Sequence, residues 1–220
     1  MGFENDGLTV FGGVKLKKVM IRDHHSDTLI YANRINTSIL DFQKLLNGKL
    51  IFGSMRADGL YVRVKTYKKE SDNNLNLFVE AFDDGTPTSG KFLMTSNKIT
   101  ITNSRFVEID ENRKVPKDVD FTKLNTHISD FKLFGPDVNT NIKTMSFLDH
   151  RGIYVTNLSS VFSYTKKQIK LDNLDLTTKE SKVKGTVTLN YKIEDFADFN
   201  NKVKFDVKLK PSILASNDIR

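Results

Sequence analysis

The segment KVKGTVTLN, residues 182–190, alternates polar and apolar side chains along its length. In a β-strand successive side chains point to opposite faces, so this alternation puts the valines and the leucine on one face and the lysines and threonines on the other. The same pattern occurs at residues 98–102, 168–172 and 202–210. These four segments predict strands that each have one apolar and one polar face.

Further strands are predicted at residues 14–21, 28–32, 35–42, 49–52, 54–65, 105–109, 124–133, 141–148 and 160–165. Turn-forming pairs such as Asn47-Gly48, Asp58-Gly59 and Gly135-Pro136 separate these segments. Many short strands in succession indicate a mainly β fold. The alternation alone leaves a meander, a sandwich, a barrel and an open groove as alternatives.

Helical patterns are few and short. Residues 74–82 place apolar side chains at i, i+3, i+4 and i+7 after a polar entry, which predicts a helix, although the same residues also alternate as a strand would. Residues 194–201 carry Phe196 and Phe199 three positions apart and predict a helical turn. We therefore expect one or two short helices.

The composition limits the chemistry that the chain can perform. Its 220 residues contain no Cys, which excludes disulfides, thiol nucleophiles and thiolate metal ligands. The net charge of +7 would suit an acidic or phosphate-rich partner, but most lysines alternate with apolar strand residues. We interpret much of this charge as one solvated face of the sheet and expect no nucleic-acid partner.

Two segments approach ligand-binding motifs without completing them. Residues 85–92, GTPTSGKF, lack the final Ser or Thr of a phosphate-binding loop and run into a predicted strand instead of a helix. Residues 23–27, DHHSD, hold two imidazoles and two carboxylates, but in a strand His24 and His25 would point apart. We interpret this segment as a solvated turn, and we predict no metal site, no cofactor and no need for metal or nucleotide in folding.

The sequence contains no recognisable catalytic constellation. His127 and His150 lie outside any serine elbow or paired-acid motif. Carboxylate pairs that meet only in space stay open, since the sequence singles out no two of them. We expect a protein that is not an enzyme. The alternative is a β-rich binding module, hydrolase or lyase for an acidic polysaccharide, which would need a polar cleft.

Short internal echoes suggest two related halves. Residues 35–42 are echoed by residues 124–131, and residues 59–62 by residues 152–155. Repeated β units whose apolar faces need a neighbour form extended arrays. We predict a first β unit at residues 1–110, which includes the helix near 74–82, and a second at residues 111–220. Both are expected within one continuous elongated domain.

Several strand-and-turn segments are spread along most of the chain: VMIRDHHSDTLIYA (19–32), GKLIFG (48–53), NLNLFV (74–79), NSRF (103–106), LFGPDV (133–138), FSYT (162–165) and EDFADF (194–199). In this order they resemble the Bacteroidota branch of the TamB, or translocation and assembly module, family and its AsmA-like relatives. The segments are structural and carry no catalytic motif, so the resemblance rests on their order.

This resemblance implies a fragment from the N-terminal part of a longer periplasmic protein, anchored in the inner membrane and working with an outer-membrane barrel of the BamA/TamA type. It implies an elongated, antiparallel sheet curled into a groove or taco-like trough. Phospholipid or other hydrophobic cargo would pass along the trough, or the sheet would assist outer-membrane protein assembly. Membrane contact would involve other parts of the parent protein.

The candidate lining of such a groove is the apolar set of the alternating strands: Ile99, Ile101, Ile169, Leu171, Val183, Val187, Leu189, Val203, Phe205, Val207 and Leu209. A closed sandwich would bury this set against a second sheet. A groove would leave it open or loosely covered. The two arrangements therefore differ in the exposure of these side chains.

Overall fold

The computed structural model describes residues 2–8, 13–39, 49–81, 92–115, 119–192 and 203–218. The described residues are mainly β, as predicted, and their strands form one long sheet that is not closed into a barrel. The predicted helical turn at 194–201, the pair Asn47-Gly48 and residues 85–91 lie outside the described residues.

Twelve strands make up the sheet: β1 (Gly2–Leu8), β2 (Gly13–Arg22), β3 (Thr28–Ile39), β4 (Lys49–Thr66), β5 (Leu93–Asp110), β6 (Val119–Phe134), β7 (Asp137–Leu148), β8 (Tyr154–Val155), β9 (Asn157–Thr165), β10 (Gln168–Thr177), β11 (Lys182–Asn190) and β12 (Lys204–Leu209). Their order in space follows the chain, except that the short β8 pairs with β7 beside the main path. The boundary expected at residues 110 and 111 falls between β5 and β6, which are neighbours in the same sheet.

One pair of neighbours departs from the expected antiparallel arrangement. β4 and β5 are parallel, from Lys49 opposite Leu93 to Thr66 opposite Asp110. Parallel neighbours need a crossover connection, and this connection contains helix α1 (Asn74–Glu80). The helix predicted near 74–82 is therefore confirmed, and Asn73 caps its first turn by accepting a hydrogen bond from the Asn76 backbone N–H at 2.8 Å.

Strands are longer than the alternation predicted, because bulges interrupt the pattern without ending the strand. Besides Asp130, Asn173 and Gly185, four residues with positive φ lie inside strands: Lys18 in β2, Gly59 in β4, Asn103 in β5 and Lys123 in β6. These four residues lie at one level of the sheet, which we name the crease. For example, Asp58 pairs with Thr102, so the residues that follow them, Gly59 and Asn103, lie side by side. The turn expected at Asp58-Gly59 is wrong, because Gly59 (φ 62°) allows β4 to continue. The Gly135-Pro136 turn joins β6 to β7 as predicted.

The two faces of the sheet differ in chemistry. One face, here named the apolar face, carries the core cluster: Leu124, Ile142, Phe147, Val155, Leu158 and Leu174. In β2, β4 and β6 two residues at the crease separate the apolar ones, so Ala57 is followed by Leu60 on the same face. The apolar face therefore stays apolar across the crease.

Helix α1 covers part of the apolar face. Val79 of the helix is 3% exposed, and the Phe78 ring contacts Phe92 at 6.4 Å. Tyr164 of β9 hydrogen bonds with Asn76, and the Lys166 ammonium lies 2.6 Å from the Glu80 carboxylate. The helix thus links the β4–β5 crossover to the β9–β10 turn, and the described residues provide a short helix where a sandwich would place a second sheet.

Candidate functional site

The predicted lining residues of the last three strands share the apolar face. Ile169 pairs with Leu189, which pairs with Phe205 in β12. Residues paired across neighbouring strands lie on the same face. The adjacent row consists of Leu171, Val187 and Val207. The register thus brings together the side chains that the alternation of these segments predicted on one side.

Exposure of these residues increases toward β12. Leu171 and Val187 pack against the core cluster. In β12, by contrast, Phe205 is 55%, Val207 49% and Leu209 47% exposed. We call these three β12 residues the apolar strip. The core therefore runs into an apolar surface that solvent reaches at the C-terminal edge of the sheet.

The remaining predicted lining residues divide into two groups. Ile99 and Val203 are buried, at 5% and 6% exposure, and behave as core residues. Ile101 and Val183 are only partly buried. The candidate set therefore combines a packed interior with an exposed margin.

The edge strand β12 is held tightly on one side. Among the described strands it pairs with β11 alone, from Asn190 opposite Lys204 to Gly185 opposite Leu209. A side chain at Gly185 would place its Cβ 2.2 Å from the Lys208 carbonyl oxygen, so the absence of a side chain permits the close approach of β12. Within the described part of the chain no strand lies beside the opposite edge of β12, so its backbone groups could pair with a further strand.

The polar face carries a basic hollow of about 430 Å³ across β3 to β6, lined by Arg34, Asn36, Arg56, Ala57, Asp58, Lys98, Thr100, Thr102 and His127. Asp58 accepts hydrogen bonds from Asn103 Nδ2 and Thr102 Oγ1, both at 2.9 Å, and these bonds lower the pKa of its carboxyl. The hollow thus combines three permanent cations with one ionised carboxylate.

A second polar hollow, of about 480 Å³, lies on β10 to β12 and has balanced charge, with Lys170, Asp172, Asp206 and Lys208 among its lining residues. Hydrogen bonds from Thr186 and Lys170 lower the pKa of Asp172. A carboxyl with a lowered pKa is poorly suited to act as a general acid near neutral pH. Each hollow therefore holds an ionised carboxylate beside basic side chains.

No protein-family model matches the chain, and its comparison with curated proteins gives no match. The resemblance to TamB and AsmA-like proteins therefore stays a prediction, and the function has to be argued from the geometry above. In the part of the chain that the structure describes, none of the helices has the length and hydrophobicity of a membrane span.

The DHHSD segment differs from its interpretation in one respect. Residues 23–27 form the predicted turn between β2 and β3, but the two imidazoles do not point apart. Nε2 of His24 and Nε2 of His25 lie 2.9 and 2.7 Å from the two carboxylate oxygens of Glu70. The strand argument fails because neighbouring residues of a turn can project to the same side. Glu70 follows 45 residues after His25 and gave no signal of its own in the sequence.

Proposed function

We propose that this chain is a segment of a periplasmic bridge protein of the TamB and AsmA-like kind, which shields lipid or other hydrophobic cargo on its apolar face. The observation that supports the proposal is the continuity between the packed core and the apolar strip. A closed soluble domain would bury such a row. Here Leu171 and Val187 lead without interruption to Val207, which is half exposed.

The proposed mechanism is passive. Each methylene group of an acyl chain that leaves water for an apolar surface contributes about 0.8 kcal/mol. The apolar strip would cover the acyl chain while the lipid headgroup stays in water. No residue performs chemistry in this mechanism, in keeping with the expectation that the protein is not an enzyme.

The same architecture serves the related proposal of outer-membrane protein assembly. The open edge of β12 can pair with an incoming strand by β-augmentation, in which backbone hydrogen bonds supply the affinity. Both forms of the proposal use β12, but lipid would contact its apolar side chains and a nascent strand would contact its backbone edge.

Photo-crosslinking from β12 tests the lipid form of this proposal. With benzoylphenylalanine at position 205, the folded chain should form adducts with phospholipid when incubated with vesicles of phosphatidylethanolamine and phosphatidylglycerol, as detected by mass spectrometry. The matched control carries the same group at Lys208, which lies on the opposite face of the same strand. Equal lipid yield at both positions, or none at position 205, would reject lipid shielding by the apolar strip.

The basic hollow favours a second candidate function, the binding of an acidic polysaccharide on the polar face. Asn36 and Arg56 pair across β3 and β4, and Thr100 and His127 continue the row. Arginine binds carboxylate and sulfate groups through two parallel hydrogen bonds. With its single ionised carboxylate, the hollow supports binding without hydrolysis, since a glycosidase uses two carboxyl groups with different protonation states.

Replacing Arg34 and Arg56 together by serine should weaken binding of a polyuronate by about tenfold or more, because hydrogen bonds to charged groups contribute about 1.5–3 kcal/mol each. Affinity is measured by calorimetry at fixed ionic strength. The charge-matched control replaces the exposed Lys179 and Lys182 by serine. An equal loss in both double variants would show that binding follows net charge, and the hollow would then have no specific role.

A further inference from the structure

The turn between β2 and β3 presents His24 and His25 in a fixed position. The Asp23 carboxylate oxygen Oδ1 accepts hydrogen bonds from the backbone N–H groups of His25 at 3.0 Å and Asp27 at 2.9 Å. The backbone N–H of Ser26 donates to the Asp23 carbonyl at 2.9 Å, which closes the turn. These bonds hold both histidines at the tip.

The Tyr67 ring packs against both imidazole rings. Its ring centroid lies 3.9 Å from that of His25 and 5.4 Å from that of His24. Its hydroxyl lies 2.8 Å from Asp23 Oδ2 and 2.9 Å from Asp27 Oδ2, close enough to donate to these carboxylates. Tyr67 is only 9% exposed, and it packs the start of the β4–α1 connection against the β2–β3 turn.

Glu70 enters from the connection between β4 and α1, and its backbone is also fixed. The Glu70 N–H donates to the Tyr67 carbonyl at 3.0 Å, and Asn112 Nδ2 donates to the Glu70 carbonyl at 3.0 Å. The Asn112 side-chain oxygen accepts a bond from the Lys69 N–H at 2.8 Å. The carboxylate is thereby presented to the two imidazoles by a separate part of the chain.

The three side chains provide the ligand atoms of a transition-metal site. The two Nε2 atoms and a Glu70 carboxylate oxygen all lie within 4.8 Å of one another. A tetrahedral Zn²⁺ with bonds of about 2.0–2.1 Å holds its ligand atoms about 3.3 Å apart. The present contacts, 2.9 Å from His24 Nε2 to one Glu70 oxygen and 2.7 Å from His25 Nε2 to the other, are a few tenths of an ångström shorter than this separation. Side-chain exposures of 34%, 46% and 30% leave room for this movement.

We propose that His24, His25 and Glu70 bind a divalent transition-metal ion, best matched by Zn²⁺, with water at the remaining position. Two imidazoles and one carboxylate are a known ligand set for Zn²⁺, and imidazole nitrogen disfavours Mg²⁺ and Ca²⁺. The ion replaces the protons that the two Nε2 atoms share with Glu70. It would bridge the β2–β3 turn and the β4–α1 connection; this proposal departs from the sequence-based prediction of no metal site.

Calorimetric titration of the untagged full chain with ZnCl₂ near neutral pH tests the site. We expect one ion per chain, and the double replacement His24→Ala with His25→Ala should weaken binding by at least about tenfold, since even an outer partner of a metal ligand contributes that much. The chain has four histidines, so His127→Ala with His150→Ala is the matched control and should bind as the wild type does. Equal weakening in both pairs would overturn the proposal.

Two further measurements keep the test independent of folding. Glu70→Gln preserves the shape of the third ligand and should also weaken Zn²⁺ binding by about tenfold or more, while circular dichroism verifies that the chain is folded. Saturating Zn²⁺, at a hundredfold excess over Kd, should raise the Tm of the wild type by about 5–10 °C. No binding to the folded wild type, or unchanged affinity in the folded Glu70→Gln variant, would show a hydrogen-bonded cluster without metal.

Discussion

Replacing Phe147 with alanine should lower the free energy of unfolding by about 3–5 kcal/mol, the range for a phenylalanine removed from a packed core. Phe147 is 6% exposed and belongs to the core cluster. Its ring lies 4.1 Å from that of Phe121, so truncation also removes an aromatic contact. Guanidinium titration followed by circular dichroism measures the change.

Phe205→Ala is the matched control, because it makes the same substitution on the apolar face at its exposed end. At 55% exposure the expected loss is below about 1 kcal/mol. The difference between their losses in the free energy of unfolding shows that Phe147 is a core residue and Phe205 an exposed one. If Phe205→Ala were as destabilising as Phe147→Ala, the strip would be buried and the lipid proposal would lose its main support.

Gly185→Ala should release the edge strand β12 from the sheet. The new methyl group would meet the Lys208 carbonyl oxygen at 2.2 Å and the Leu209 Cα at 3.0 Å, and backbone atoms cannot turn away as a flexible side chain can. Overpacking of this kind costs about 1–3 kcal/mol. Amide hydrogen exchange across residues 204–209 should accelerate by about tenfold or more, and lipid adducts from position 205 should decrease with it.

Gly152→Ala controls for the backbone strain that alanine introduces at a positive φ. Gly152 has φ 90° and no heavy atom within 4 Å of the position where a Cβ would lie. It should lose about 1 kcal/mol of stability without any change in exchange at residues 204–209. Accelerated exchange of β12 in this control would mean that the edge strand responds to general destabilisation instead of to the clash at Gly185.

The local part of the fold was predictable because strand alternation is a property of neighbouring residues. Residues 182–190 and 168–172 lie in β11 and β10 with their apolar side chains on one face, as the period of two requires. The helix at α1 followed from its 3.6-residue spacing in the same way. Each of these predictions needed only the side chains within a single element.

Features that depend on partners distant in sequence were not predictable. The parallel pairing of β4 with β5 joins segments on opposite sides of a crossover. The sequence predicts a turn at Gly59, but an Asp-Gly pair is typical of both turns and β-bulges. The neighbouring strands β3 and β5 decide between the two, because β4 stays paired with them on both sides of Gly59.

The candidate sites were also predictable only where they depend on neighbouring residues. The pattern placed Val187 and Val207 on a common face, but it held no information on which of them solvent would reach. Exposure depends on how many strands follow β12 and on what covers them. Similarly, the sequence shows that His24 and His25 are adjacent, whereas Glu70 joins them only because Tyr67 packs between two connections.

The parallel joint between β4 and β5 has a consequence for the order of folding. The antiparallel hairpin of β6 and β7 closes between Phe134 and Asp137, whereas Asp58 meets Thr102 only after 44 residues (102 − 58) have been looped. Closing the longer loop costs about 2 kcal/mol more in chain entropy. We therefore expect the strands before and after the crossover to assemble as two separate nuclei, whose late docking along β4 and β5 limits the folding rate.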